Sequence, residues 1–467
     1  MIGPLRIAVH PGRHFRAAAD RVVAILEGID GVVPAGRGQD SDVHIYVGGL
    51  PAETSGEQWW LEAVHSGVPG GSAFGALEIA DRVPLAGIQL CARRGTKCVT
   101  LAEAWLRTDP YSPSRMVGRL WDAGLSLLHT AALRRIDATE TVLPRSVPRQ
   151  IELTAADRAR LRARSAHGFT SIQGDEIFRS DHWSIGVVDA PIHRFLEPNF
   201  RPEVIWSPSD GAEIFCGDPF GVPEGRGVRL YYERFDFAHG LGTLATRTYS
   251  FGGWGPQENV LTLESHLSYP YLIEHASRRY VVPESGDAGL TMSYVLDEHE
   301  QEAIEPKLML DFPALDSTVL EHDGKWWLFA TDARIKHVDV LHIWFSEISP
   351  LGPWTPHRLN PVKTDIRATR PGGTPFRFEG SLYRPTQVGT TGYGGSVEIN
   401  RIDLLTTRDF RETGVRQVHP FKDRPDGVHT LSAVGDTTLV DGKLRRVVPS
   451  TVTGRLKGKT GRFFGLG

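Results

Sequence analysis

From Asp218 onward the chain repeats one plan roughly every fifty residues. Each unit has a short polar or glycine-containing segment, an apolar strand, a tight turn, and a second strand rich in Val, Leu, Tyr, Trp or Phe. The five hairpins are GVPEGRGVRLYYE (221–233), YLIEHASRRYVVPES (271–285), TVLEHDGKWWLFATD (318–332), PFRFEGSLYRPTQ (375–387) and TTLVDGKLRRVV (437–448). Their turns, HDGK and VDGK among them, carry the aspartate and glycine that a tight hairpin needs. The segments just ahead of them are FCGDP (215–219), HLSYP (266–270), ALDST (314–318), RPGGT (370–374) and GVHTL (427–431). A four-stranded blade takes about 40–50 residues. Five such units therefore read as an all-β five-bladed β-propeller, with the polar residues before each hairpin opening the innermost strands and facing a central channel. A β-sandwich with ordinary turns is the competing architecture.

The N-terminal part follows a different rule. PLRIAVHPG (4–12) has the pattern of a buried strand, RAAADRVVAILEGI (16–29) has helical spacing, and SDVHIYVGGLP (41–51) is again strand then glycine turn. This order predicts an α/β domain with an open sheet. SPSRMVGRLWDAGLSLLHTAALRRI (112–136) begins with a serine cap and continues as a long amphipathic helix that closes the domain. VLPRSVPRQIELTAADRARLRARSAHG (142–168) is rich in proline and arginine and reads as a linker carrying a short basic helix. The expected organisation is an α/β domain over 1–140, a linker over 141–178, the propeller over 179–448 and a basic tail over 449–467.

At 467 residues the chain exceeds a single core, in line with two domains. A net charge of −4 gives no reason to expect a nucleic-acid partner. Cys91, Cys98 and Cys216 are too few for a disulfide framework and lack the paired spacing of a zinc site, so a reducing cytoplasm is the expected compartment. The first thirty residues scatter Arg6, His10, Arg13, His14 and Arg16 among short apolar runs, unlike a signal peptide, and no apolar stretch approaches membrane-spanning length. Residues 443–467 contain seven Lys or Arg and no acid and end near a Phe-Phe pair. That composition suits peripheral contact with an anionic surface, and it equally suits a solvated, flexible terminus. Oligomeric state is left open.

Several strings in the second half resemble the N-terminal propeller module of plant glucosamine inositolphosphorylceramide transferases and its bacterial relatives. They are ESHLSYPYLIE (264–274), VVPES (281–285), SPLGPWTPHRLNPV (349–362), RPGGTPFRFEGSLYRPTQ (370–387) and GYGGSVEINRIDLL (392–405). The resemblance covers roughly residues 180–448. GDPF and the hairpin frame also look, more distantly, like the five-bladed furanosidase and fructosidase superfamily, whose active sites lie in the channel. Residues 1–140 resemble a degraded formyltransferase-like domain through LAGIQL (85–90), TLAEAWLRTDPYSPSR (100–115) and the closing helix. Formyltransferases use neighbouring Asn, His and Asp. The corresponding stretch here, 49–79, offers His65 and Ser66 without an Asn partner, so this domain reads as a structural or docking remnant.

The resemblance implies carboxylate chemistry at the channel on a small-molecule or glycan substrate, with no cofactor and no metal. A glycosidic bond breaks through an oxocarbenium-like state, served by one carboxylate and one carboxylic acid. Asp218 matches the superfamily's general-base position, Asp316 occupies the same place two blades on, and Glu284 ends a buried strand. Each also has an ordinary reading, as an Asp-Pro turn residue, a turn cap and a loop glutamate. The superfamily's second acidic position is SYP here, which weakens simple hydrolysis and leaves three functions open. They are glycosyl transfer or cleavage, a non-hydrolytic tailoring reaction such as cyclisation or acyl transfer, and glycan or partner binding without catalysis. Glu264, His266, Tyr269, Arg370, Arg384, Gln387 and His429 lie in the matched motifs near inner-strand starts and are candidates for a polyol or anionic pocket. Arginine offers a planar fork for phosphate or carboxylate, or a salt bridge between blades. Trp326 and Trp327 read as blade packing.

Overall fold

The computed structural model describes residues 4–452, apart from 13–14, 36–38, 49–55, 68–73, 110–111, 140–141, 146–153, 171–178, 298, 300, 336–339 and 391. Tail residues 453–467, parts of the linker and much of the 49–79 stretch therefore lie outside the described residues. The chain divides into two compact units. One holds residues 1–171 with two short later segments, including Leu359–Ile366, and the other holds the rest.

In the first unit seven strands form one mixed sheet. Val32–Pro34, Leu5–Pro11, Val43–Val47 and Glu57–Ala63 run parallel in that spatial order. Leu85–Arg94, Lys97–Arg107 and Leu143–Arg145 extend it antiparallel. The strand-helix-strand opening follows the periodicity, with helix Arg16–Glu27 burying Ala19, Val22 and Leu26. The sheet is open as expected, and its antiparallel half is added by a hairpin that turns at Gly95, with φ 61°. Helix Pro113–Asp137 starts where its serine predicts: the Ser112 hydroxyl accepts from the Arg115 N–H at 3.4 Å. Its apolar face buries Met116, Leu120, Trp121 and Leu128. A Cβ at Gly124 would stand 2.5 Å from Leu61, so glycine lets this helix lie close on the sheet.

The second unit is a five-bladed β-propeller. Blade one comprises Ile214–Glu224, Gly227–Asp236 and Leu241–Ser250, with two short strands pairing outside the last. Blade two runs Ser268–His275, Arg278–Glu284, Thr291–Leu296 and Ala303–Leu310. Blade three begins with Ala314–His322, Lys325–Asp332 and Val340–Ser346, and blade four runs Phe376–Phe378, Ser381–Val388, Ser396–Leu405 and Phe410–Val418. The fifth blade joins Leu431–Val434 and Thr437–Val447 to Arg179–Val188 and Ile205–Trp206, which precede blade one in the chain. The ring is thus closed by strands from both ends of the propeller. Apolar clusters fill the spaces between blades; one of them gathers Phe220, Tyr269, Tyr271, Val319 and Trp344.

Four of the five hairpins expected from the repeat are inner strand pairs, whereas in the fifth blade the turn falls at Gly435–Asp436 and the expected VDGK turn runs straight through the strand Thr437–Val447. Three of the inner pairs share a further device. The ladder carries a β-bulge between Gly217 and Phe220, between Ser268 and Tyr271, and between Leu315 and Thr318. Asp218, Tyr269 and Asp316 stand at these bulges with φ of 53°, 45° and 53°, a left-handed conformation costly for a residue with a side chain. Pro219 and Pro270 follow the first two, and proline has no N–H for the bulge to leave unpaired. Blade four meets the same demand with glycine: Gly373 has φ 130°, and a Cβ there would stand 1.8 Å from the Leu431 carbonyl oxygen.

Candidate active site

A cavity of about 810 Å³ opens at the propeller channel, with Glu233, Glu284, His266, His429, Trp183 and Tyr393 in its wall. Glu284 and Asp316 are brought together by Arg370, whose Nε donates to Asp316 and whose Nη2 donates to Glu284 at 3.2 Å. Gln387 Nε2 donates to the same Asp316 carboxylate at 3.1 Å and to the Pro371 carbonyl at 2.9 Å. Asp316 and Asp218 are both fully buried. Asp218 accepts from the Thr430 hydroxyl at 2.9 Å and lies 3.5 Å from His429 Nε2.

Asp441 organises that side of the channel. Its carboxylate accepts the backbone N–H groups of Asp218, His429 and Thr430 at 3.2, 2.9 and 3.1 Å, and it faces His429 Nδ1. The His429 ring stacks on Trp183 with centroids 3.8 Å apart and planes 8° from parallel. In blade one, across the ladder from Gly217, Glu233 stands 3.4 Å from His266 Nε2, and His266 Nδ1 accepts the Gly242 N–H at 3.0 Å. That hydrogen bond puts the ring proton on Nε2, aimed at Glu233. Glycine is required at 242, where a Cβ would stand 2.6 Å from His266 and 2.8 Å from Glu233.

Burial dominates the protonation of this cluster. It pushes Asp316 up to about 7 against the pull of Arg370. It also raises Asp218, with His429 opposing. Glu233 rises well above the carboxylate range through burial, and the charges of Asp218 and Glu284 add to it. For His429 burial works against the charge, but Asp441 and Asp218 more than offset it and its pKa is raised. The channel thus gathers more carboxylates than cations and retains protons near neutrality.

The sequence candidates divide accordingly. Glu284, His266 and His429 line the cavity, while Asp218, Asp316, Arg370 and Gln387 form the hydrogen-bonded layer of the same cluster. Tyr269 belongs to the scaffold: its buried hydroxyl accepts the Gly373 N–H at 2.8 Å and meets Thr318 at 3.0 Å, tying blades two, three and four. Two candidates stand apart. Glu264 is exposed in the bend before blade two and is absent from the cavity wall. Arg384 is buried in a bidentate pair with Glu412, at 2.6 and 2.7 Å, and donates to the Ala368 carbonyl at 2.8 Å, so its fork is spent inside blade four. Trp327 packs in blade three, with its indole N–H on the His322 carbonyl at 3.1 Å.

Glu233, Asp441, Trp183 and Tyr393 were not among the sequence candidates. A signal for Glu233 exists in the hairpin register. Counting outward from the turn pairs Glu224–Gly227, His275–Arg278, His322–Lys325 and Phe378–Ser381, the same step along the second strand reaches Glu233, Glu284, Thr331 and Gln387. Glu233 is thus the blade-one counterpart of Glu284. Asp218, His429 and Asp441 could also be viewed as ligands for a cation, since one atom of each lies within 4.8 Å of the others. Asp441, however, already accepts three backbone N–H groups and faces His429, which accounts for this trio as a hydrogen-bonded ion pair.

Residues 207–427 match the family model described as glucosamine inositolphosphorylceramide transferase 1, N-terminal. The resemblance carried by the motifs holds over that stretch, which spans blades one to four. The chain is 33% identical over 218 residues to glucosamine inositolphosphorylceramide transferase 1 of Oryza sativa subsp. japonica, covering 45% of this chain and 29% of that protein. It is 29% identical over 280 residues to the Arabidopsis thaliana protein of the same name, covering 54% and 36%. The chain thus spans about a third of the length of the curated relatives it matches. Among solved structures, an exo-1,5-alpha-L-arabinanase from a bovine ruminal metagenomic library aligns at 11% identity and TM-score 0.34, over 69% of this chain and 95% of that one. A sucrose-6-phosphate hydrolase from Lactobacillus gasseri aligns at 13% identity and TM-score 0.34, over 47% and 51%. The five-bladed architecture rests on the chain's own strands.

Proposed function

We propose that the channel acts on a glycosyl bond of a glycan or glycolipid, by transfer or cleavage. The observation that carries this reading is the convergence of Glu233 from blade one and Glu284 from blade two on one open cavity, backed by the buried layer of Asp218, Asp316 and Arg370. Glu233 and Glu284 are the acids of the channel cluster that reach the cavity, whose wall also includes Asp181 from the fifth blade. Glu233, raised by burial and its acidic neighbours, is suited to deliver a proton to the leaving oxygen. Glu284, held by Arg370, supplies the negative charge that an oxocarbenium-like state requires, or the attacking group. Asp218 and Asp316 act through these two, as positioning and charge-setting residues. This is a revision of the expectation that Asp218 and Asp316 meet the substrate, and its cause is their complete burial.

The test is incubation of the full chain with a panel of aryl glycosides and nucleotide-activated sugars, with products read by mass spectrometry. Glu233→Gln and Glu284→Gln should each lower turnover by about a hundredfold or more while binding persists. Turnover indifferent to both variants would remove the acid-pair reading. Saturable glycan binding with no turnover by the parent chain would favour a binding propeller, which the tightly paired Asp218 and Asp316 also suit.

For the N-terminal unit we propose a scaffold or docking role. His65 pairs with Asp81 at 3.3 Å with its side chain 43% exposed, and the Ser66 hydroxyl donates to Glu78 at 3.0 Å, an arrangement that suits surface ties.

A further inference from the structure

Along the second strand of blade one, Glu233 and Phe235 stand at alternate positions, so their side chains share a face, and Phe237 follows in the turn just past Asp236, its N–H donating to the Glu213 carbonyl at 2.9 Å. All three line the cavity, together with Phe215, which pairs with Phe235 across the ladder. The three phenyl rings form one surface: Phe215 and Phe235 are stacked at 4.8 Å, and Phe237 meets them edge-on at 5.5 and 5.2 Å. The rings are half-buried, with their remaining area turned to the cavity. Successive same-face side chains on a strand lie about 6.6–6.8 Å apart. The wall therefore runs outward from the Glu233 carboxyl for the length of one or two rings. Phenylalanine has no polar handle, unlike the Tyr and Trp that serve amphipathic ligands. Charged groups of the same cavity, Arg179, Asp181 and Arg445, stand on the fifth-blade strands Arg179–Val188 and Thr437–Val447.

We propose that Phe215, Phe235 and Phe237 form a subsite for an apolar aglycone, an aryl or alkyl group joined to the sugar whose glycosyl bond meets Glu233 and Glu284. The inference rests on the glycosyl-bond reading for its orientation and commits beyond it to the chemistry of the group attached to the sugar. A group leaving or accepting at Glu233 emerges onto these rings, because Phe235 is the next position on the same strand face, with Phe215 paired beside it and Phe237 in the turn beyond.

The experiment uses the full chain carrying Glu233→Gln, so that glycosides are bound without turnover. Calorimetry compares methyl, phenyl and n-octyl glycosides of the same sugars, the last below its micelle threshold, with the matching disaccharides. Phenyl and octyl members should bind about tenfold more tightly than methyl members. Adding Phe237→Ala or Phe235→Ala should reduce that preference to about twofold and leave methyl-glycoside affinity unchanged, while Phe237→Leu retains most of it. Thermal melts identify any variant that fails to fold, and Phe237→Leu then carries the test against the parent. Equal affinity for methyl and apolar members, disaccharides bound more tightly than aryl glycosides, or no saturable binding by any apolar member would each overturn the subsite. Turnover is measured separately on the parent chain. An aryl preference without turnover overturns the glycosyl-bond reading and keeps the subsite, and turnover without an aryl preference does the reverse.

Discussion

Replacing Asp316 by asparagine tests the charge state of the channel through stability, without knowledge of the substrate. Burial raises the Asp316 pKa to about 7 from an ordinary 3.8, although Arg370 pulls the other way. The folded chain therefore holds a proton that the unfolded chain has released, and the sign follows from linkage. The contribution of Asp316 is fully present below about pH 4, declines as pH rises, and is level above about pH 7. The whole gap is worth about 4 kcal/mol, of which about 2–3 kcal/mol falls between pH 5 and pH 8. Asp316→Asn keeps the shape and abolishes the titration. Urea unfolding of parent and variant, followed by tryptophan fluorescence at both pH values, reads the difference. The stability of the variant relative to the parent should rise by about 2–3 kcal/mol from pH 5 to pH 8. Coupling to Glu233 and Asp218 broadens the transition without changing its sign. A parent–variant gap that is constant across this range, or that moves the other way, would refute the claim that the channel stores protons near neutrality.

Arg384→Met should destabilise the propeller by about 3–5 kcal/mol, because the buried Glu412 carboxylate loses its bidentate guanidinium. Adding Glu412→Leu should recover most of that loss, as measured by urea midpoint. Gly373→Ala should lower the thermal midpoint far more than alanine at exposed Gly225, where a Cβ meets nothing within 4 Å, since at 373 it collides with the Leu431 carbonyl. Tyr269→Phe should cost about 1–3 kcal/mol in the same urea assay, since it strips the partner from the buried Gly373 N–H.

The architecture was legible because propeller blades are local: each inner hairpin is contiguous, its turn is marked by Gly or Asp, and its strands are apolar. The closure of the fifth blade was not, since it joins Thr437–Val447 to Arg179–Val188, a pairing that no local pattern announces. The same divide runs through the site. Asp218 and Asp316 were visible because a bulge demands unusual residues, and Asp-Pro and Asp-Ser stand out at strand starts. Glu233 was hidden in the ordinary-looking run YYER, and only register against VVPES reveals it as the partner of Glu284. Arg370 and Arg384 show the limit of residue type alone. Both lie in matched motifs seated in blade four, yet one bridges two channel acids and the other is consumed by Glu412.

Register also explains why acids crowd together here. In blades one and two the second strand presents a glutamate at the same step from the turn, and in blades one and three the bulge presents an aspartate. Five-fold convergence then brings Asp218, Glu233, Glu284 and Asp316 to one channel, with Asp441 behind them. Arg370 answers Glu284 and Asp316, and a protonated His429 answers Asp441 and Asp218. Glu233 faces the His266 Nε2, whose other ring nitrogen accepts from the Gly242 N–H. Glu233, raised well above the carboxylate range by burial and by the charges of Asp218 and Glu284, is with Asp316 one of the carboxyl groups that retain protons here. It is also the one from which the phenylalanine wall runs outward, so the proton and the apolar subsite occupy adjacent positions on a single strand face.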